Sequence, residues 1–443
     1  MSTSPRPEPA HDYRRLLRNP AYARVFTAGL GSVAGSSIAG ICLIWIVYAD
    51  TGSALDVAFL GTAWLAAGIL FSVFGGTWVD RYDRRRLMIL ADFSRAAAMA
   101  VVVLDLHLRG FDLAPILAAN FVVGAFTTVF NPAESAILPS IVEGRLVADA
   151  NGLVRSSRAA LQFVGASIAG VLIVTVGPVV GVGVNAVTFL VSGLLLVGLR
   201  VPSRVPRSGG GARERPGYFE DVAEGFRWLW RSKGFFQLTL SATFFNFCSA
   251  IVGTFLVVFA TVVLHGSALV FALLLAAEVA GSAIGSLAVG RTNAARWAGR
   301  AWVVPYGAVS ALLTLALVLV PSVPVALAVL FGLGAFGGFA GTAWLTAAQL
   351  LVPTEMQGRY FGIDSLGSIA IMPAAQIGGA LLIVTYGVRE TYLAAGLLWL
   401  VAGLAFLVPR ALWDLGWRPP PAIPRSDAGA PGTTGSPGGS RAA

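Results

Sequence analysis

The sequence predicts an all-α membrane protein in which twelve transmembrane helices form two pseudo-symmetric bundles of six. Its composition, its run of apolar segments and an internal repeat carry this prediction. Of 443 residues, 56% are hydrophobic and only 12% are charged, and the mean hydropathy is +0.77. Soluble domains carry about 25% charged residues, whereas a spanning helix needs about 20 mostly apolar ones. The chain therefore has enough apolar residues for about twelve spans.

Twelve apolar runs are long enough to cross a bilayer. In the first half they lie near residues 24–49, 56–79, 87–106, 114–138, 153–176 and 179–199. In the second half they lie near residues 236–264, 268–290, 301–320, 324–349, 360–386 and 391–409.

These runs divide the chain into five parts. Two six-helix bundles, 21–199 and 236–410, are joined by a polar cytoplasmic linker, 200–235. The N-terminal segment, 1–20, and the Pro-, Gly- and Ser-rich tail, 411–443, are both polar. Such segments cannot bury enough apolar surface to fold, so we expect both to be disordered and cytoplasmic.

Basic residues are distributed unevenly between the two sides of such a bundle. If the N-terminus is cytoplasmic, 28 of the 31 arginines and lysines lie on the cytoplasmic side and two lie on the other side. Cytoplasmic loops carry such an excess. Thirty arginines against one lysine indicate GC-rich, bacterial coding DNA. We expect a multi-pass protein of a bacterial plasma membrane with both termini in the cytoplasm.

The same distribution excludes some functions. Arginine-rich loops facing anionic lipid account for the net charge of +9, so nucleic acid is not an expected partner. The one lysine, Lys233, lies in Arg-Ser-Lys-Gly and not in the Gly-Lys-Ser/Thr of a phosphate-binding loop. Three histidines and two cysteines lack the spacing of zinc or haem ligands. We expect no metal, no cofactor and no enzyme activity; an integral-membrane enzyme or scaffold is the alternative from another class.

An internal repeat relates the two halves. Six residues recur 214 positions later: Pro139, Gly144, Arg145, Gln162, Gly165 and Ala166 as Pro353, Gly358, Arg359, Gln376, Gly379 and Ala380. Each half has an even number of spans, so both enter the membrane from the same side. Parallel repeats related by an axis along the membrane normal form a transporter architecture, with the binding site between the halves near the midplane. We expect a monomer that works by alternating access.

The turn between the second and third runs carries the most specific short motif. The run Gly76-Thr-Trp-Val-Asp80-Arg81-Tyr-Asp83-Arg84-Arg85-Arg86 resembles the signature of the major facilitator superfamily at this turn. An acid at the C-terminus of a helix is disfavoured by the helix dipole, so Asp80 needs a cation or another helix N-terminus. The resemblance implies that Asp80 contacts the second half near 359–364 and that Glu134 holds the arginine. The implied inner-gate residues are Gly76, Asp80, Arg81, Arg84, Arg85 and Glu134.

Further runs resemble the branch of this superfamily that contains bacterial siderophore and multidrug exporters. They are Thr51-Gly-Ser53, Asn131-Pro132-Ala133, Leu138-Pro139 and Ala150-Asn151. The resemblance covers residues 20–410 and implies the major facilitator fold and efflux by proton antiport. Drug–proton antiporters carry Gly-Pro-x-x-Gly-Gly in the fifth span, and this sequence has Gly165-Ala-Ser-Ile-Ala-Gly170 there. An uncoupled facilitator or importer of the same fold is therefore the alternative.

Glu278 is the candidate for proton coupling. It lies ten residues into the run 268–290, and an ionisable residue at that depth is costly and usually functional. A hydrogen bond that only serves helix packing is the alternative. At the repeat offset of 214, Glu278 corresponds to Trp64 and Gln376 to Gln162. In the superfamily, span five of one half faces span eight of the other, and span two faces span eleven. The resemblance therefore implies that Glu278 faces Gln162 and that Trp64 faces Gln376. Asp92 and Arg95, three residues apart on one helix, are expected to pair.

Polar and aromatic residues at mid-span are candidates for the lining of the substrate cavity, with helix packing or lipid exposure as the alternative. They are Trp45, Phe126, Phe130, Asn131, Gln162, Asn246, Trp344 and Gln376. Aromatic rings, amides and one acid suit an amphipathic or cationic organic molecule, such as a drug, siderophore or secondary metabolite. The expected partners are that small molecule, protons and the lipid bilayer.

Overall fold

A computed structural model describes residues 13–199, 218–289, 300–319 and 322–405. Within these ranges the chain is helical and forms no β-strand. Eleven helical segments in these ranges are long and apolar enough to cross a membrane, and Arg300–Leu319 supplies a twelfth whose apolar part, Pro305–Leu319, is shorter. The prediction of an all-α multi-pass membrane protein is confirmed.

The first half contains one short helix and six spans. They are α1 (Tyr13–Arg18), α2 (Pro20–Thr51), α3 (Ala54–Arg81), α4 (Arg84–Leu108), α5 (Leu113–Ile141), α6 (Val147–Thr175) and α7 (Pro178–Val197). The start of α2 is fixed by Asn19, whose side chain accepts hydrogen bonds from the first backbone N–H groups of the helix. Gly52, with φ of 62°, ends the same helix in the left-handed conformation.

Helix α1 corrects the prediction that residues 1–20 are disordered. Its Leu16 is 1% exposed and joins the apolar cluster that contains Tyr22. Arg15 also forms an ion pair with Glu143, 2.7 Å away. The segment is helical because the apolar side chain of Leu16 packs against the ends of α2 and α6. The segment is polar overall, so its composition does not predict this contact. Residues 1–12 and 406–443 lie outside the described residues.

The second half contains an amphipathic helix and six further spans. The helices are α8 (Tyr218–Arg231), α9 (Lys233–Thr254), α10 (Leu256–Val258), α11 (Ala268–Val289), α12 (Arg300–Leu319), α13 (Val323–Leu351), α14 (Thr354–Ala370), α15 (Met372–Tyr386) and α16 (Val388–Ala405). A π-helical turn, Phe259–Val263, completes the span that α9 and α10 begin. Helices α14 and α15 form one span interrupted at Ile371, because Pro373 lacks the N–H that a continuous helix needs.

Helix α8 lies within the predicted linker 200–235, at the same end of the bundle as the start of α9. Its Leu229 is 2% exposed and packs with Tyr360 of α14, whereas Trp230 is 64% exposed. A helix with one buried face and exposed aromatic rings is typical of the membrane interface. Only residues 200–217 of the linker lie outside the described residues.

The two halves pack together at one end of the bundle. We call the end where α2 begins and α7 ends the arginine-rich end, and the other the opposite end. One apolar cluster contains residues of both halves near the opposite end, including Ile46 and Val47 of α2 and Val257 of α10. At the arginine-rich end the described residues form separate clusters, one around Tyr22 and one around Tyr360. The bundle is therefore closed at the opposite end.

The helix pairs that join the halves are those that the resemblance implies. Helix α3 packs on α15, and α6 packs on α11. The second pair approaches closely: a Cβ added at Gly170 would lie 2.4 Å from Cβ of Ala272. Spans two and eleven, and spans five and eight, are therefore neighbours across the pseudo-two-fold axis.

Within the second half, α11 and α13 touch backbone to backbone. A Cβ added at Gly334 would lie 1.9 Å from the carbonyl oxygen of Glu278, and one added at Gly285 would lie 1.8 Å from that of Ala335. Ser286 Oγ donates a hydrogen bond to the carbonyl oxygen of Gly338, at 3.1 Å. Small residues allow such close packing in membranes, and here they fix the position of Glu278.

Candidate functional site

A central cavity of about 670 Å³ lies between the halves. Helices α2 to α7 supply most of its wall, and the second half supplies Thr254 of α9 and Met372 and Gln376 of α15. Four of the eight predicted cavity residues line it, namely Phe130, Asn131, Gln162 and Gln376. Trp64 lines it as well, so Trp64 and Gln376 share one cavity, and their facing each other stays a prediction.

The other four predicted residues lie elsewhere. Asn246 and Trp344 line a second cavity, within the C-terminal half. Trp45 stacks on Phe271 of α11, with 6.5 Å between the ring centroids. Phe126 packs against the apolar cluster at the arginine-rich end of the first half. These two rings pack against apolar residues because burial of their large apolar surface is favourable.

Gln376 joins the halves at the wall of the central cavity. Thr62 Oγ1 of α3 donates to Gln376 Oε1 at 3.1 Å, and Gln376 Nε2 donates to Thr254 Oγ1 at 3.3 Å. A Cβ at Gly61 would lie 2.7 Å from Gln376 Nε2, so glycine makes room for the amide. This hydrogen-bonded group ties α3, α9 and α15 together on the closed side of the cavity.

A buried ion pair lies at the wall of the central cavity. Arg95 lies 2.5 Å from Asp92, which confirms the predicted pair, and Ser192 Oγ donates to the same carboxylate at 2.6 Å. The Arg95 guanidinium lies between the rings of Phe130 and Phe189, 4.4 Å from each centroid. Stacking of this kind stabilises a desolvated cation. The pair holds Phe130 at the cavity surface.

A second ion pair, between Glu134 and Arg158, corrects one expectation. Glu134 was expected to hold an arginine of the Asp80 motif, and it pairs with Arg158 of α6 instead. Arg84 of the motif donates to the carbonyl oxygen of Ala136, at 2.8 Å. Glu134 lies seven residues before the end of α5. At that depth in the bundle it lies beside α6 and does not reach the motif turn between α3 and α4.

Arg158 is a cavity residue that the sequence reasoning missed. It is not among the predicted cavity residues, although it lies in the predicted run 153–176. Helix α6 begins at Val147 and carries Arg158 into the cavity wall. Two signals were available. Arg158 precedes Gln162 by four residues, which places both on one helix face. The repeat also maps Arg158 onto Met372, which lines the same cavity.

The motif turn itself joins helices of the first half. Asp83 accepts a hydrogen bond from the Arg86 N–H at 2.8 Å and so begins α4. Arg85 Nε donates to the carbonyl oxygen of Leu196 at 3.0 Å, where it satisfies the C-terminus of α7. Arg81 is exposed. The side-chain surroundings of positions 72–77 and 80 lie outside the structural description, so the gate contact of Asp80 and the role of Gly76 stay predictions.

Glu278 lines a third cavity, of about 280 Å³, inside the C-terminal half. Polar and aromatic neighbours from α9, α11, α12 and α16 surround it: Ser249, Ser282, Tyr306 and Trp399. The predicted pairing with Gln162 is wrong, because Gln162 lines the central cavity. Helix α11 does contact α6, but through Ala272. Six residues further along a helix, Glu278 is turned about 120° away from that contact.

The site contains no recognisable metal centre in the described part of the chain. No group of three or more His, Cys, Asp or Glu residues there could hold a metal ion. Cys42 and Cys248 are buried free thiols. In the described residues, the site consists of charge pairs, hydrogen bonds and aromatic surfaces.

The chain belongs to the Major Facilitator Superfamily, whose family model matches residues 25–375. It is 28% identical over 246 residues to the multidrug efflux pump Tap of Mycobacterium tuberculosis, a match that covers 52% of this chain and 57% of Tap. It is 27% identical over 222 residues to macrolide efflux protein A of Streptococcus pyogenes, covering 49% and 53% respectively. The chain thus spans little more than half the length of these curated relatives. Membership of this superfamily confirms the resemblance that the motifs indicate, and efflux pumps are among the relatives.

A solved structure shows the same fold. It is that of a bacterial homolog of the human lysosomal transporter Spinster, in an inward-facing and unoccupied conformation. The TM-score is 0.69 at 16% sequence identity, and the match covers 90% of this chain and 99% of the other. At that identity the likeness concerns the fold alone.

Proposed function

We propose that the protein exports small amphipathic organic molecules by alternating access and couples this export to protons. The cavity between the halves supports alternating access, since parallel repeats place the site there. Efflux pumps among the relatives support export. The positive-inside rule places the arginine-rich end in the cytoplasm, so a bundle closed at the opposite end is one that loads from the cytoplasm.

One observation carries the proton coupling. Asp92 and Glu134 each pair with an arginine, whereas Glu278 has no cationic partner among the described residues. An unpaired carboxylate inside a membrane is costly, and protonation removes that cost. Hydroxyl groups of Ser282 and Tyr306 line its cavity and can donate hydrogen bonds when the proton leaves. Glu278 is therefore the group that takes up and releases the transported proton.

The test is transport by Glu278→Gln in proteoliposomes with an imposed pH gradient. The variant should lose accumulation of substrate against its gradient and keep exchange of substrate at equal concentrations, because glutamine resembles the protonated acid. Glu390→Gln, an exposed carboxylate of α16 in the same half, is the matched control and should keep both activities. A Glu278→Gln variant that still concentrates substrate would contradict the proposal. Substrate movement without proton movement in the wild type would identify an uncoupled facilitator.

A further inference from the structure

The second cavity, in the C-terminal half, has no role in the proposed proton coupling. It measures about 350 Å³ and lies between α9, α12, α13 and α14. Small-molecule sites are usually about 300–1,000 Å³, so it is large enough for a compact organic group. It is distinct from the Glu278 cavity, although Tyr306 and Gly337 lie between the two and line both.

Asp364 supplies the charge of this cavity. Its residue surface is 6% exposed, so the carboxyl group is buried in the cavity wall. One of its two oxygens is unsatisfied: Oδ1 is buried and has no hydrogen-bond partner among the described residues. A buried carboxylate oxygen without a partner costs stability, so something that donates a hydrogen bond is expected there. No arginine or lysine is found among the described residues that line the cavity.

A second unsatisfied group lies in the same wall. Trp344 Nε1 is buried and has no hydrogen-bond partner. Its ring is held edge-on by Phe361 at 6.2 Å, so the indole is fixed in place. Phe245 and Tyr306 add two further rings, packed edge to face at 4.9 Å. The cavity thus combines one free acceptor, one free donor and three aromatic surfaces.

We infer that this second cavity binds the cationic group of an organic substrate, such as a protonated or quaternary amine. Asp364 attracts the positive charge, and its free Oδ1 accepts a hydrogen bond where the cationic group carries an N–H. The rings of Phe245, Tyr306 and Trp344 stabilise the cation through their π faces. Trp344 Nε1 donates to an oxygen or nitrogen acceptor of the same molecule. The central cavity differs, since the charged residues described in its wall are Arg95 and Arg158. The inference rests on the proposed export of small organic molecules.

Binding of a matched pair of fluorescent probes tests the inference. Ethidium carries a permanent positive charge, and its parent without the N-ethyl group, 3,8-diamino-6-phenylphenanthridine, is uncharged at pH 8. Fluorescence anisotropy with the full-length protein in lipid nanodiscs should show that the wild type prefers ethidium. Asp364→Asn should weaken ethidium binding about 10- to 100-fold, because the carboxylate attracts the cation at short range in a partly desolvated cavity and asparagine does not. Binding of the uncharged parent should stay unchanged.

Two control variants test whether the effect depends on the negative charge at position 364. Asp50→Asn removes an exposed carboxylate outside the cavities and should bind ethidium like the wild type. Asp364→Glu keeps the charge and should retain most of the affinity. Equal binding of ethidium by the wild type and Asp364→Asn would overturn the inference, and so would equal loss of both probes. Because binding needs no gradient, a protein with Asp364-dependent binding but no driven export would contradict only the proposed function.

Discussion

At the scale of single residues, the charges inside the membrane explain what sequence spacing can and cannot predict. Asp92 and Arg95 are three apart on one helix, so their ion pair follows from helix geometry. Glu134 and Arg158 lie on different helices, and their pairing depends on how α5 and α6 pack. Glu278 was identified by its depth alone, but the cavity that it faces depends on four neighbouring helices, α9, α12, α13 and α16.

Gly29 tests the importance of the Glu134–Arg158 pair. A Cβ added at Gly29 would lie 2.5 Å from Glu134 Oε1, so Gly29→Ala should push the carboxylate away from Arg158. We expect a loss of about 1–3 kcal/mol in the free energy of unfolding, typical of overpacking. Gly31→Ala on the same helix has open space and is the control. Equal thermal unfolding temperatures for the two variants in detergent would contradict this prediction. They would show that the Glu134–Arg158 pair accommodates the added methyl group without loss of stability.

At the scale of helices, the apolar runs predict the spans well because bilayer thickness fixes how long they must be. The run 268–290 becomes Ala268–Val289, and 179–199 becomes Pro178–Val197. The docking of α1 and α8 was not predicted, since both helices are short and depend on tertiary contacts. The second cavity could not be predicted either, because four helices contribute to it.

The contact between α11 and α13 should be the least tolerant of added volume. A Cβ at Gly285 would lie 1.8 Å from a backbone oxygen, which cannot rotate away as a side chain can. Gly285→Ala should therefore separate the helices and destabilise the protein by about 1–3 kcal/mol or more. Gly341→Ala on α13 meets nothing within 4 Å and should leave stability unchanged. Unfolding by titration with a denaturing detergent measures both, and an equally stable Gly285→Ala variant would refute the close packing.

At the scale of the whole molecule, the repeat predicts which helices meet across the axis but not which end is closed. An alternating-access transporter has two such states, and one sequence encodes both. The structure shows the state that is closed at the opposite end, where Gln376 bonds to Thr62. The same offset of 214 relates Ser135 to Gln349, which are exposed near the arginine-rich ends of α5 and α13.

Crosslinking at the two ends should report the two states. In a background without Cys42 and Cys248, Thr62→Cys with Gln376→Cys should be joined in the resting protein by a short bis(methanethiosulfonate) crosslinker, which attaches to each thiol through a reducible disulfide. That crosslink should stop transport, and reductant should restore transport, because this end of the bundle must open once in every cycle.

The pair Ser135→Cys with Gln349→Cys should crosslink slowly at rest and faster during transport, since the halves approach there only in the other state. Single-cysteine variants control for modification without crosslinking. Rapid crosslinking of the second pair at rest, with none of the first, would mean that the resting protein is closed at the arginine-rich end.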